Sequence, residues 1–175
     1  MGNIVKRNGK VAFYNVGSTY YRMKGFTEFT TNKSPIEYSR QYIDEEFKHN
    51  DVVGYDTSVS FSFDLMKENE VHLDIAGIFD GEKTGDSAVR DIVVVDFTDE
   101  KSPGKYGAFK RSFTVMPESE GDSTDAYTYS GSFRAKGASS FGTAVTLDDW
   151  QTATFVEKQG TGTADITDVT DVTEE

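Results

Sequence analysis

The 175-residue chain has no cysteine. That removes disulfide frameworks, thiolate zinc sites, iron–sulfur ligation and thiol catalysis together. Histidine is nearly as scarce. His49 and His72 are the only two, too far apart in sequence to be read as one site, and no G-x-S-x-G elbow accompanies them. Both read as surface histidines, His49 in a charged loop and His72 off the apolar stripe of a helix. No apolar run approaches the roughly eighteen residues of a membrane-spanning helix. The N-terminal MGNIVKRNGKVAFYNVGS is basic but lacks the apolar stretch of a signal peptide, and Lys6 stands where a myristoylation start wants Ser or Thr. Cations are in deficit too: 18 Lys and Arg stand against 30 Asp and Glu, a formal net charge of −12. Nothing here neutralises phosphates in bulk, which argues against ordinary nucleic-acid binding.

Apparent binding motifs fail on inspection. Asp80-Gly81-Glu82-Lys83-Thr84-Gly85-Asp86 with Asp91 imitates an EF-hand, yet Lys83 sits inside it and the twelfth position is Asp rather than Glu. Gly160-Thr161-Gly162 precedes no helix that would present its N-terminus to phosphate, and Lys83-Thr84 lacks the Walker glycines. Carboxylates are plentiful enough for a two-carboxylate hydrolase, but on a chain of this charge they read as a solvated face. We expect no catalytic residue, no cofactor and no metal.

What the chain does have is aromatics, 13% of its residues, which disordered sequences lack; a packed core is expected. Its dominant pattern has a period of two. Thr57, Val59, Phe61, Phe63 and Leu65 alternate with Asp56, Ser58, Ser60, Ser62 and Asp64, as on a half-buried strand. The same alternation runs through Tyr127, Tyr129, Phe133 and Ala135, through Phe109, Phe113 and Val115, and through Phe141, Thr143, Val145 and Leu147. Ile92–Val95 is apolar on both faces, and 20–31 is rich in Thr and aromatics, which suits an early strand. Val71, Ile75, Ile78 and Phe79 instead make one helical stripe, with Asn69 as N-cap and Gly81 as stop. Leu73 lies off that stripe, a sign of cover on a second side. The fold class is therefore mainly β: an antiparallel sandwich or barrel with one flanking helix over about 68–80. Residues 1–17 read as an N-terminal arm and 18–157 as the β domain. The acidic segment 158–175 reads as a flexible tail, or as a β arm added to a neighbour's sheet through Ile166, Val169 and Val172.

The segment Ser34–Tyr55, SPIEYSRQYIDEEFKHNDVVGY, concentrates tyrosines and opposed charges. Tyr and Arg supply large contact area with a polar tip, as interface anchors do; the plainer reading is an exposed hairpin or long loop whose charges satisfy one another. The run Pro35-Ile36-Glu37-Tyr38-Ser39-Arg40-Gln41-Tyr42-Ile43-Asp44-Glu45, followed by Asp51-Val52-Val53-Gly54-Tyr55, resembles tailed-bacteriophage major tail (tail tube) proteins of Gram-positive-host phages. The similarity continues to about Val156.

The resemblance implies a structural virion protein whose copies form six-fold rings that stack into a tube. It implies tape-measure and tail-completion proteins as partners, a place in the virion tail after assembly in the host cytoplasm, no membrane, and DNA that passes without specific binding. It makes 32–56 an interface loop, with Pro35, Glu37, Tyr38, Arg40, Tyr42, Asp44, Glu45, Asp51 and Tyr55 as contact candidates. An acidic bore would repel phosphate, and Asp56, Asp64, Asp91 and Asp96, on polar strand faces, are its candidates. The rival reading is a monomeric β-sandwich that binds carbohydrate. The lone Trp150 weighs against it, and the nine tyrosines keep it open.

Overall fold

In Lys10–Val16 (β1) both faces are apolar, and both find a core. Val11 and Phe13 point to one side, Ala12 and Tyr14 to the other, and all four are buried. The reason is the sheet around them. The computed structural model describes residues 4–121 and 123–158. It continues through β2 (Thr19–Arg22), β3 (Phe26–Arg40), β4 (His49–Asp64), α1 (Glu70–Asp80), β5 (Val89–Ser102), β6 (Lys105–Glu120), β7 (Thr128–Ala135), β8 (Ser140–Val145) and β9 (Thr152–Glu157). All strand pairings are antiparallel, in the order β3-β4-β7-β6-β5-β1-β2-β9-β8, and a further β6–β8 pairing closes the last six into a barrel. The closed barrel replaces the sandwich alternative. Strands β7, β4 and β3 extend the sheet beyond it.

The two faces of β1 and β5 thus serve two cores. Inside the barrel lie Val11, Phe13, Val93, Val95, Ala108, Ala144 and Ala153. On the other face Tyr14, Ile92, Phe61, Phe63, Phe113 and Phe133 pack beneath α1. This is why Ile92–Val95 reads as a continuous apolar run. The β4 alternation holds, with Thr57, Val59, Phe61 and Phe63 all buried. Helix α1 begins where expected: Asn69 Oδ1 accepts from the backbone N–H of Val71 and His72. Its C-cap is Gly81, where a Cβ would lie 2.9 Å from the Gly77 carbonyl oxygen. A partly buried network ties the helix to the sheet. Arg90 donates from Nε and Nη2 to the two Asp74 oxygens at 2.8 and 2.9 Å, and the Tyr14 hydroxyl donates to Asp74 Oδ2 at 2.8 Å.

Several expectations need correction. Residues 10–16 are a central barrel strand, so the N-terminal arm does not extend to 17. The early strand divides at Gly25, whose φ of +73° favours glycine and lets the chain leave β2 for β3. Segment 32–56 is not a long loop but the distal part of the β3–β4 hairpin, with a turn only at 41–48. In β8 the buried residue is Ala144, whereas Phe141, and Leu147 just beyond the strand, are exposed. The barrel interior beside it is already filled by Phe13 and Trp150, their ring centroids 6.0 Å apart, leaving room for a methyl group. Leu73 is exposed, so α1 is covered on one side only. His72 is fully buried, stacked on Phe63 at 4.1 Å; its Nδ1 accepts from the Met66 N–H and its Nε2 donates to the Lys24 carbonyl. A Cβ at Gly25 would meet that ring at 3.1 Å. The acidic tail call falls on residues 159–175, outside those described apart from Lys158.

Candidate assembly surface

Past Thr31 and Asp56 the hairpin leaves the body of the protein. Ser34–Arg40 pairs with Asp56–His49, seven residues that at about 3.4 Å each make an arm about 24 Å long. One extra residue, Val53, forms a bulge opposite Ile36 and Glu37, and the bulge adds local twist. An isolated two-stranded ribbon has no core of its own, so both of its faces are on show. Directly opposed residues share a face. Pro35 with Tyr55 and Glu37 with Val52 lie on one side; Tyr38 with Asp51 and Arg40 with His49 lie on the other.

All nine contact candidates sit on this arm. Tyr42, Asp44 and Glu45 are at its tip, where short-range bonds shape the turn. The Arg40 guanidinium lies over the Tyr42 ring at 5.5 Å and donates to the Tyr38 hydroxyl at 3.1 Å. His49 Nε2 meets Glu45 Oε2 at 2.5 Å, and Ser39 donates to Asn50 Oδ1 at 2.7 Å. The charges therefore partly satisfy one another, as the plainer reading expected. The apolar groups do not. Ile36, Ile43, Phe47, Val52 and Val53 are exposed along with Tyr38, Tyr42 and Tyr55, and Phe47 keeps 78% of its surface. Sequence reading picked out the tyrosines and missed the five others. Their signal was present, as apolar residues, singly or in pairs such as Val52-Val53, within a charged run.

The acids expected to line a bore do not converge. In the extended sheet, the face away from α1 carries Ser58, Ser60 and Ser62 on β4 opposite Arg134, Ser132 and Ser130 on β7. Asp56 and Asp64 mark the two ends of this hydroxyl-rich surface. Asp56 is 3.6 Å from Arg134, and Asp64 accepts from Thr128 at 3.4 Å. Asp91 shares that face by register but lies at the barrel mouth, bonded to the Ser112 and Tyr20 hydroxyls. Asp96 is on the opposite face, 3.1 Å from Lys10. A bond from the Thr98 hydroxyl, with help from the Thr98 backbone and Lys10, holds its carboxyl below the usual range.

Trp150 packs edge-on against Phe97 and Tyr106 at the barrel end, at 4.8 and 5.5 Å. It plugs the barrel rather than standing out as a platform for sugar. Among the described residues no three His, Asp or Glu side chains gather as a metal site.

No protein-family model matches the chain, and no curated protein sequence matches it. Solved structures do. A chain of the virion of a native gene transfer agent particle superposes with a TM-score of 0.57 at 11% identity, over 79% of this chain and 98% of that one. A chain of the tail of an empty gene transfer agent particle, refined with C6 symmetry, gives 0.57 at 12% identity with the same coverage. A chain of the anti-feeding prophage baseplate, six-fold symmetrised, gives 0.52 at 7% identity, over 81% and 97%. At these identities the likeness is one of fold, and it spans nearly the whole of each neighbour: this chain has the fold of subunits found in phage-like tails and virions.

Proposed function

We propose that this chain is a structural, non-enzymatic subunit of a phage-type tail, whose copies assemble into stacked hexameric rings that form a tail tube. The observation that carries the reading is the arm. It holds eight large apolar side chains in the open on a ribbon with no core, and contiguous exposed apolar surface marks interaction sites. A second copy is the partner such an arm fits, because ring contacts repeat one surface pair around an axis. Three structures sharing the fold come from particles with tails or baseplates, two of them described with six-fold symmetry. The resemblance at 35–55 supports the tube specifically, with tape-measure and completion proteins as further partners.

In this reading the hydroxyl-rich sheet face between Asp56 and Asp64 lines the bore. Serine and threonine hydroxyls hydrate well without attracting phosphate, and the net charge of −12 keeps DNA from adhering to the wall. Electron microscopy of concentrated protein tests the proposal. Rings or tubes are the expected result; monomers at every concentration and salt would overturn it.

A further inference from the structure

Beyond the edge of α1, the apolar face of the sheet is left open as a groove of about 360 Å³. Its accessible apolar lining is the exposed Phe109 with the half-buried Phe29 and Val94, and Ala12, Val59, Ile92 and Phe113 lie buried behind them. Its charged lining is of one sign: Arg7, Lys10, Lys33 and Arg111, with no acidic residue. In a chain with 30 acids and 18 cations, four cations around one apolar trough is a local reversal of the whole molecule's charge. Lys10 is paired with Asp96. Arg7 donates to the Lys10 and Phe29 carbonyls, and Arg111 to the Gly137 carbonyl. Among the described residues neither these two nor Lys33 forms an ion pair. A second, independent feature lies in the same trough. Thr57 lines it and is only 4% exposed, and its Oγ1 has no hydrogen-bond partner among the described residues. A buried hydroxyl left without a partner is destabilising, so this position calls for a polar group from elsewhere. Apolar floor, cationic rim and an unpartnered hydroxyl together specify an acidic, extended peptide with aliphatic anchors.

The chain carries such a sequence, and its last described residue, Lys158, lies beside this place. Residues 165–173 read Asp-Ile-Thr-Asp-Val-Thr-Asp-Val-Thr, a three-residue repeat. In an extended chain of three residues per turn, Ile166, Val169 and Val172 would form one line about 9 Å apart, with Asp165, Asp168 and Asp171 on the next. Lys158 donates its backbone N–H to the Phe141 carbonyl and lines a cleft that shares Lys10, Val94 and Phe109 with the groove. Residues 159–164 add up to about 20 Å of reach. We infer that the acidic C-terminal segment, residues 165–172, docks in this groove on its own chain, with its aliphatic side chains on the apolar floor and its carboxylates against Arg7, Lys33 and Arg111. The inference does not rest on tube assembly, and its test is read on dilute protomer.

The absence of cysteine makes that test clean. In the full-length chain, Thr31→Cys on the groove side of β3 is combined with Val169→Cys. Thr30→Cys with Val169→Cys is the control, one residue away and on the opposite face. Docking raises the effective concentration of the Val169→Cys thiol at the groove. Under mild oxidation the groove pair should therefore close an intramolecular disulfide about tenfold or more faster than the control. Lys33→Glu should slow closure, Asp168→Lys added to it should restore it, and raising NaCl from about 0.05 to about 0.5 M should slow it. Equal rates for the two pairs would overturn the inference. So would a groove pair that cross-links only between chains, which would give the groove to a second copy. Because Thr31 and Lys33 are exposed, these variants fold, and an unchanged far-ultraviolet spectrum verifies it.

Discussion

His72 shows how a single residue can carry a condition for folding. Its ring is stacked on Phe63 with an edge of Phe26 beside it, and both nitrogens are used, one accepting from Met66 and one donating to Lys24. That arrangement suits the neutral imidazole, since a second ring proton would face the Met66 N–H. Burial pushes its pKa below the ordinary 6.5, opposed in part by the Lys24 carbonyl and the Asp64 carboxylate. With the folded pKa below the unfolded one, the group carries no penalty above about pH 6.5. Stability is lost as pH falls from there through the folded value, because the unfolded chain binds a proton that the native chain refuses. Thermal melts at about pH 7.5 and about pH 5.5 should show a fall in Tm that is smaller in His72→Gln; an equal fall in both proteins would remove His72 as the cause. The sequence gives little warning of this role. His72 stands beside the apolar stripe rather than on it, and its burial depends on Phe63, Phe26 and Gly25, which come from other elements.

At the scale of elements, what could be read from sequence was whatever obeyed a short period. The β4 alternation, the α1 stripe with its Asn69 cap and the two-faced β5 are set by neighbouring residues, and each appears where the spacing placed it. Ile75 is fully buried under that stripe and Leu73 is exposed. Ile75→Ala should therefore cost about 2–5 kcal/mol in chemical denaturation, against about 0.5 kcal/mol or less for Leu73→Ala. Similar costs for the two would place α1 differently. The illegible parts depend on distant partners. The β8 alternation favours the face of Phe141 and Leu147, and the filled barrel overrides it in favour of Ala144. The cationic groove draws Arg7, Lys33 and Arg111 from strands and turns far apart in sequence. The arm looked like a loop because its charges and Gly54 obscure a pairing that continues unbroken from the body except at one bulge. Since both faces are solvated, Tyr38→Ala, Tyr42→Ala and Phe47→Ser should each change protomer stability by no more than about 0.5 kcal/mol while reducing assembly. Equal loss of stability and assembly would return the arm to the protomer's own core.

For the molecule as a whole, the proposal joins an acidic chain, a barrel with an extended sheet and an arm that ends in solvent. The closed barrel removes its own strand edges, while β3, at the outer end of the sheet, has an edge unpaired among the described residues; such an edge beside an exposed arm is a natural place for a neighbour to add. If the face between Asp56 and Asp64 lines a bore, assembled wild-type protein should show no measurable affinity for duplex DNA even at low salt. Asp56→Lys with Asp64→Lys should then introduce affinity that falls as salt rises. Strong wild-type binding at ordinary salt would contradict the conduit. The most direct test of the central claim is cryo-electron microscopy of the concentrated protein. The expected image is a six-fold ring stacked into a tube, with residues 33–56 of each copy buried against its neighbours. A population of monomers only, or rings in which that arm still stands free in solvent, would contradict it.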